Sequence, residues 1–234
     1  MDLSEFILMY TNGGTNMAAG IQLLEDTRII VIVRGVETKA MLPLAEALYE
    51  GGIRVMEVTM NSEGALDSIR HLQNKIGDRM WIGAGTVLDI EDAKHAIAAG
   101  AQFIVTPNMD EEVIRFCSQL HIPIYPGALT PTEIVKAWKA GAPAVKIFPS
   151  ASIGMAYIKE LQGPLSHIPM VAVGGVNADN IRRFMEIGCY AVGIGGSLVD
   201  KSAIRNEKFE RITQDAARLT EEMQAYLEDQ AEHG

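Results

Sequence analysis

"KAGAPAVKIFP", residues 139–149, holds the plan on which the rest of the chain is built. A helical run ends, Gly141 closes it, and a short apolar run follows with Lys146 at its centre. The same order recurs in "EGGIRVMEVTM" (50–60), "AAGAQFIVTPN" (98–108) and "EIGCYAVGIGG" (186–196). In each copy a glycine (Gly52, Gly100, Gly141 or Gly188) caps a helix where a strand begins. Each interval between these glycines holds two strand–helix units. Strands are therefore expected near Ile29–Val33, Ile53–Thr59, Met80–Ala84, Ala101–Thr106, Ile122–Tyr125, Ala144–Phe148, Met170–Val173 and Tyr190–Ile194. A helical stretch follows each one, as in "TKAMLPLAEALYE" and "DEEVIRFCSQL". Eight such units in a chain of 234 residues point to an α/β (β/α)8 TIM barrel in a single domain. A doubly wound open sheet is the alternative.

The repeat also sets the register. Five residues past each glycine stand Glu57, Val105, Lys146 and Gly193; seven past stand Thr59, Pro107, Phe148 and Gly195. Strand side chains alternate between faces, and inward ones stack in layers of four drawn from alternate strands. Glu57 and Lys146 then share one layer, with the second layer above them at the C-terminal mouth. Eight strands about 4.8 Å apart and tilted about 36° enclose a barrel roughly 15 Å across. A lysine and a glutamate reaching inward from opposite strands nearly meet, leaving room for a water or a small substrate.

Composition narrows the partners. The net charge of −10 disfavours nucleic acid and anionic membranes. No apolar run is long enough to span a bilayer, and the N-terminus lacks the pattern of a signal peptide. Cys117 and Cys189 are far apart without metal-type spacing, as expected of reduced, buried thiols in a cytoplasmic protein. Residues 1–16, with "TNGGTN", read as a flexible extension, and the barrel domain as residues 17–234. The five histidines are scattered and Glu57 is the one carboxylate placed at the mouth, so no metal site is expected.

Burying an ammonium among Ala144, Val145, Ile147 and Phe148 is expensive and favours the neutral amine, while a nearby Glu57 carboxylate favours the charged form, so the residues leave the net pKa open. A neutral amine attacks a ketone, and a buried carboxyl with a raised pKa moves protons near neutral pH. Lys146 with Glu57 suits Schiff-base chemistry on a keto acid; the other reading is a structural ion pair plugging the barrel. The turns "VGGVNADN" and "GIGGSLV" follow the seventh and eighth strands, where barrels of this type hold phosphate on backbone N–H groups. Gly174, Gly175, Gly195 and Gly196 allow close approach, Ser197 adds a hydroxyl, and Asn177 is expected to cap the next helix. Ordinary tight turns are the plainer reading. Arg34 and Thr86, at the ends of the first and third strands, are further candidates for carboxylate or phosphate.

Taken together, "GGIRVMEVT", "GAGTV", "AGAQFIVTPN", "IPIYPGALTPTE", "VKIFP", "GGVNADN" and "GIGGS" resemble the 2-keto-3-deoxy-6-phosphogluconate (KDPG) / 4-hydroxy-2-oxoglutarate (KHG) aldolase family, from about Ile29 to Leu198. The resemblance implies a metal-independent class I aldolase that needs no cofactor and assembles as a homotrimer. By this resemblance Lys146 matches the Schiff-base lysine and Glu57 the general acid/base. Arg34, Thr86, Pro107 and Phe148 match pocket positions, and Gly174, Gly175, Gly196 and Ser197 match the phosphate turns. The implied reaction cleaves a 2-keto-4-hydroxy acid to pyruvate and an aldehyde. Two positions depart from the pattern. Asn61 stands where many members have arginine, and Val173 where many have threonine. Arg34 and Thr86 are then left to carry most of the carboxylate recognition. Two rival readings are a phosphate-binding isomerase or epimerase, and a barrel that binds a phosphometabolite without turning it over.

Overall fold

The computed structural model describes residues 17–233. The expected extension, residues 1–16, lies outside them. Nine short strands form one sheet: β1 (Ile29–Val33), β2 (Val55–Thr59), β3 (Trp81–Gly85), β4 (Ile104–Val105), β5 (Ile124–Tyr125), β6 (Gly127–Ala128), β7 (Val145–Ile147), β8 (Met170–Val173) and β9 (Ala191–Ile194). The order is β5-β4-β3-β2-β1-β9-β8-β7-β6, and every pairing is parallel. The two ends of that order, β5 and β6, are consecutive in the chain. They are one barrel strand interrupted at Pro126, which has no N–H to give a ladder. β5 pairs with β4 and β6 with β7, so the sheet curls round to meet itself. The open-sheet alternative is set aside, and the expected single strand at 122–125 is corrected to two pieces.

Closure needs a glycine beside the break. A Cβ on Gly127 would lie 2.3 Å from the Pro107 carbonyl oxygen, so any larger residue would push the strands apart. The four repeat glycines all have left-handed φ, from 91° at Gly52 to 113° at Gly141. They close their helices as the repeat predicts.

Two apolar layers follow from strand alternation. The outward faces pack against the surrounding helices around residues such as Val58, Leu72, Ile82 and Ile147. The inward faces form a second cluster of Ile30, Val55, Trp81, Phe103, Tyr125 and Val171 that fills the lower barrel. Helix Met17–Thr27 joins this inner cluster through buried Leu24. Gly20 brings that helix onto the indole of Trp81, where a Cβ would lie 2.2 Å from Nε1. Among the described residues the lower barrel is filled, which leaves the C-terminal end of the barrel open to a ligand.

Candidate active site

Glu57 and Lys146 sit mid-strand on β2 and β7, both turned inward and 1% and 5% exposed. Glu57, Val105, Lys146 and Gly193 all line one cavity of about 10 Å³, enough for a single water. Tyr125 and the aliphatic Ile30, Ile32, Val171 and Val173 complete its wall. No ion pair within 4.0 Å joins the lysine to the glutamate, so they face each other across a gap and do not plug the barrel. The carboxyl has space because β3 carries Gly85 beside it, where a Cβ would lie 2.5 Å from the Glu57 carboxyl. Gly85 is a site residue the sequence reading missed. Its signal was a glycine inside a buried strand, "WIGAG", where glycine otherwise weakens the element.

Both groups are shifted toward their neutral forms. Burial pushes the Glu57 carboxyl up, and the nearby Lys146 and Arg34 charges only oppose it. Its Oε2 is buried with no hydrogen-bond partner. Burial also pulls the Lys146 amine down, with help from Arg34 and against the pull of Glu57. Lys146 Nζ lies 5.1 Å from the centre of the Phe148 ring. A lysine with a lowered pKa holds a lone pair at lower pH than a solvated one. The pH at which pyruvate traps half-maximally on borohydride reduction is therefore expected well below the ordinary lysine value of 10.5. Arg34→Met removes one of the causes that lower it, so the midpoint moves to higher pH. A wild-type midpoint at the solvated value would contradict this.

Above the pair opens a cavity of about 590 Å³ at the C-terminal mouth. Arg34, Thr86, Pro107, Phe148, Gly174, Gly175, Gly195, Gly196 and Ser197 all line it, so the structure brings together every residue the sequence singled out for substrate. Ile32, Val173 and Asn177 line it as well. Gly174 and Gly175 have φ of 103° and 76°, left-handed values that keep their turn to glycine. Ser197 Oγ donates to the Val176 carbonyl at 2.7 Å, stitching the two glycine turns together. Two expectations are corrected. Asn177 does not cap the next helix: that helix, Ile181–Glu186, has Asn180 at its N-cap, and Asn177 Oδ1 accepts from Asp179 N at 2.9 Å in a turn before it. Thr59 does not reach the mouth cavity; it is buried, 2.8 Å from the Ser62 hydroxyl.

Arg34 follows β1 and is clamped from two other loops. Nη1 donates to Asn61 Oδ1 at 2.8 Å and Nη2 to Thr86 Oγ1 at 3.2 Å. Thr86 has a φ of 57°, rare for a β-branched residue. Such strain, of order 1–3 kcal/mol, persists where surrounding structure over-determines it, commonly at active sites. A second groove of about 440 Å³ lies on the flank between Gly35–Pro43 and Lys201–Phe209. Its charged side chains include Glu37 and Lys39, exposed and paired with each other at 2.8 Å, and neither reacting group faces it. Among the described residues, no three His, Cys, Asp or Glu side chains come together as a metal site would require. Both cysteines are buried, with thiols pushed up to about 12 by burial.

The fold and site thus define a parallel β/α barrel with a desolvated lysine and carboxyl beneath a glycine-walled mouth. The family model for KDPG and KHG aldolases matches residues 21–215, and the chain belongs to that family. It is 38% identical to the 2-dehydro-3-deoxy-6-phosphogalactonate aldolase of Escherichia coli (strain K12), over 81% of this chain and 91% of that protein. It is 37% identical to the 2-dehydro-3-deoxy-phosphogluconate aldolase of Haemophilus influenzae, over 82% and 91%. A solved structure of the Legionella pneumophila KDPG aldolase, with pyruvate captured at low pH as a covalent carbinolamine intermediate, is similar with a TM-score of 0.80. The two are 29% identical over 88% of this chain and 98% of that one.

Proposed function

We propose that this protein is a class I aldolase that cleaves a 2-keto-3-deoxy-6-phospho sugar acid to pyruvate and glyceraldehyde 3-phosphate. The observation that carries it is the desolvated Lys146 amine facing the Glu57 carboxyl across a water-sized gap. The neutral amine attacks the C2 ketone to give a carbinolamine; protonated Glu57 gives its proton to the departing hydroxyl, so that water, an iminium and the Glu57 carboxylate result. Glu57, ionised, takes the C4 hydroxyl proton; the C3–C4 bond breaks, and its electron pair neutralises the iminium as an enamine. The aldehyde leaves, C3 takes a proton, and hydrolysis frees pyruvate and the amine. The capture of pyruvate as a carbinolamine in the Legionella relative supports this order of steps. The gluconate and galactonate acids in the relatives' names differ at C4, so both epimers belong in the assay.

In this reading the glycine turns after β8 and β9 hold the phosphate, while Arg34 and Thr86 hold the carboxylate. Gly196 offers a clean test, because a Cβ there meets nothing within 4 Å. Gly196→Asp adds a negative charge where the phosphate binds without displacing protein atoms. Its kcat/KM for the phosphorylated acid is expected to fall about 100-fold, a scale set by like-charge juxtaposition, with little change for 4-hydroxy-2-oxoglutarate. Equal loss on both substrates, or none on either, would remove the phosphate from these turns.

Assembly as a homotrimer, location in the cytoplasm and a separate extension at residues 1–16 belong to the same proposal. Exposed Leu88, Leu129 and Phe148 all follow strand ends on the mouth side, an apolar rim suited to subunit contact. No helix among the described residues is long and apolar enough to cross a membrane.

A further inference from the structure

The residue at position 61 decides what Arg34 can do, because the two side chains meet at 2.8 Å. Asn61 Oδ1 accepts from Arg34 Nη1, a role only an acceptor can fill. An arginine has no acceptor, and at this position its charge would repel Arg34. Arg34 itself is exposed at a loop start, and a free arginine samples many rotamers. Here two acceptors from two loops remove that freedom, Asn61 after β2 and Thr86 after β3. The loop bearing Asn61 is itself tied to the loop bearing Arg34, since Gly35 N donates to Ser62 Oγ at 2.8 Å. Ser62 is in turn bonded to Thr59 at the end of β2 at 2.8 Å. The guanidinium so placed lines the mouth cavity and acts on both Glu57 and Lys146.

We propose that Asn61 is a positioning residue for substrate carboxylate recognition: it holds the Arg34 guanidinium at the mouth, so that one fixed arginine binds the carboxylate of the keto acid. This rests on the aldolase reading and deepens it. Asn61 touches Arg34 and leaves the carboxylate to the guanidinium. Its effect on binding therefore exists only while Arg34 is present.

A double-mutant cycle with pyruvate as the probe tests this. The pyruvate concentration for half-maximal borohydride trapping and the trapping rate at saturation are measured in wild type, Asn61→Leu, Arg34→Met and the double variant. Asn61 is exposed, so leucine there leaves the core untouched. Asn61→Leu is expected to raise the half-saturating concentration about tenfold, the scale of one hydrogen bond to a charged group. Measured above the trapping midpoint of every variant, where Lys146 is neutral in each, the rate at saturation stays within about twofold. In the Arg34→Met background the same substitution has no further effect. A fold defect would lower the saturated rate in every background. Equal effects of Asn61→Leu with and without Arg34, or no effect in wild type, overturn the proposal. Failure of the wild type to trap pyruvate at all overturns the aldolase reading, and this proposal with it.

Discussion

Lys146→Met reduces aldol cleavage by on the order of 10⁶-fold, the scale on which losing a covalent nucleophile acts. The amine is the atom that forms the bond to substrate. No other lysine among the described residues is buried. Methionine is close in length to the aliphatic stem of lysine and fills the same space without the charge, so the barrel wall survives. The variant also rids the interior of a group that is paired with nothing within ion-pair distance. Its thermal midpoint is therefore expected to match or exceed that of wild type, a trade common where an active site holds desolvated charge. Assays with KDPG and with its C4 epimer, read beside a melting curve, check both halves. Residual cleavage within about a hundredfold of wild type would mean that catalysis runs without a Schiff base at this lysine.

Glu57→Gln lowers cleavage by about 10²–10⁴-fold, the range for a general base. Glutamine is nearly isosteric and fits the space left by Gly85, but it cannot take the C4 hydroxyl proton. Pyruvate should still trap on Lys146. The sign of the accompanying pH shift is fixed: the Glu57 charge raises the Lys146 pKa, so its loss lets that pKa fall further. The trapping midpoint then moves to lower pH in this variant, opposite to Arg34→Met. Cleavage near the wild-type rate would place the base elsewhere, and an unchanged midpoint would show that the two groups do not interact.

The barrel and its register were legible because they depend on local, repeated rules. Helix-closing glycines at 52, 100, 141 and 188 each put the next strand at a fixed phase. Two-residue alternation then carried Glu57 and Lys146 to the same interior cavity. The nine mouth residues were legible for the same reason, each lying at or just past the end of a strand. What escaped depends on contacts between loops distant in sequence. Arg34 and Asn61 meet across the ends of two strands, and no periodicity announces that pair. The left-handed Thr86 sits at a position where sequence favours glycine or asparagine. The break at Pro126 was visible as a proline, but its use in curling the sheet required knowing that β5 and β6 pair with different neighbours. Asn177 was assigned to the wrong turn because a helix start after "GGVNADN" can fall at either asparagine.

Whether Lys146 forms the covalent bond is settled by borohydride reduction of the wild-type protein with pyruvate, followed by intact-mass measurement and peptide mapping. The expected result is one reduced pyruvate per chain, located on Lys146, with none when pyruvate is omitted. A stable adduct on a different lysine, or no adduct at saturating pyruvate above the trapping midpoint, would contradict it.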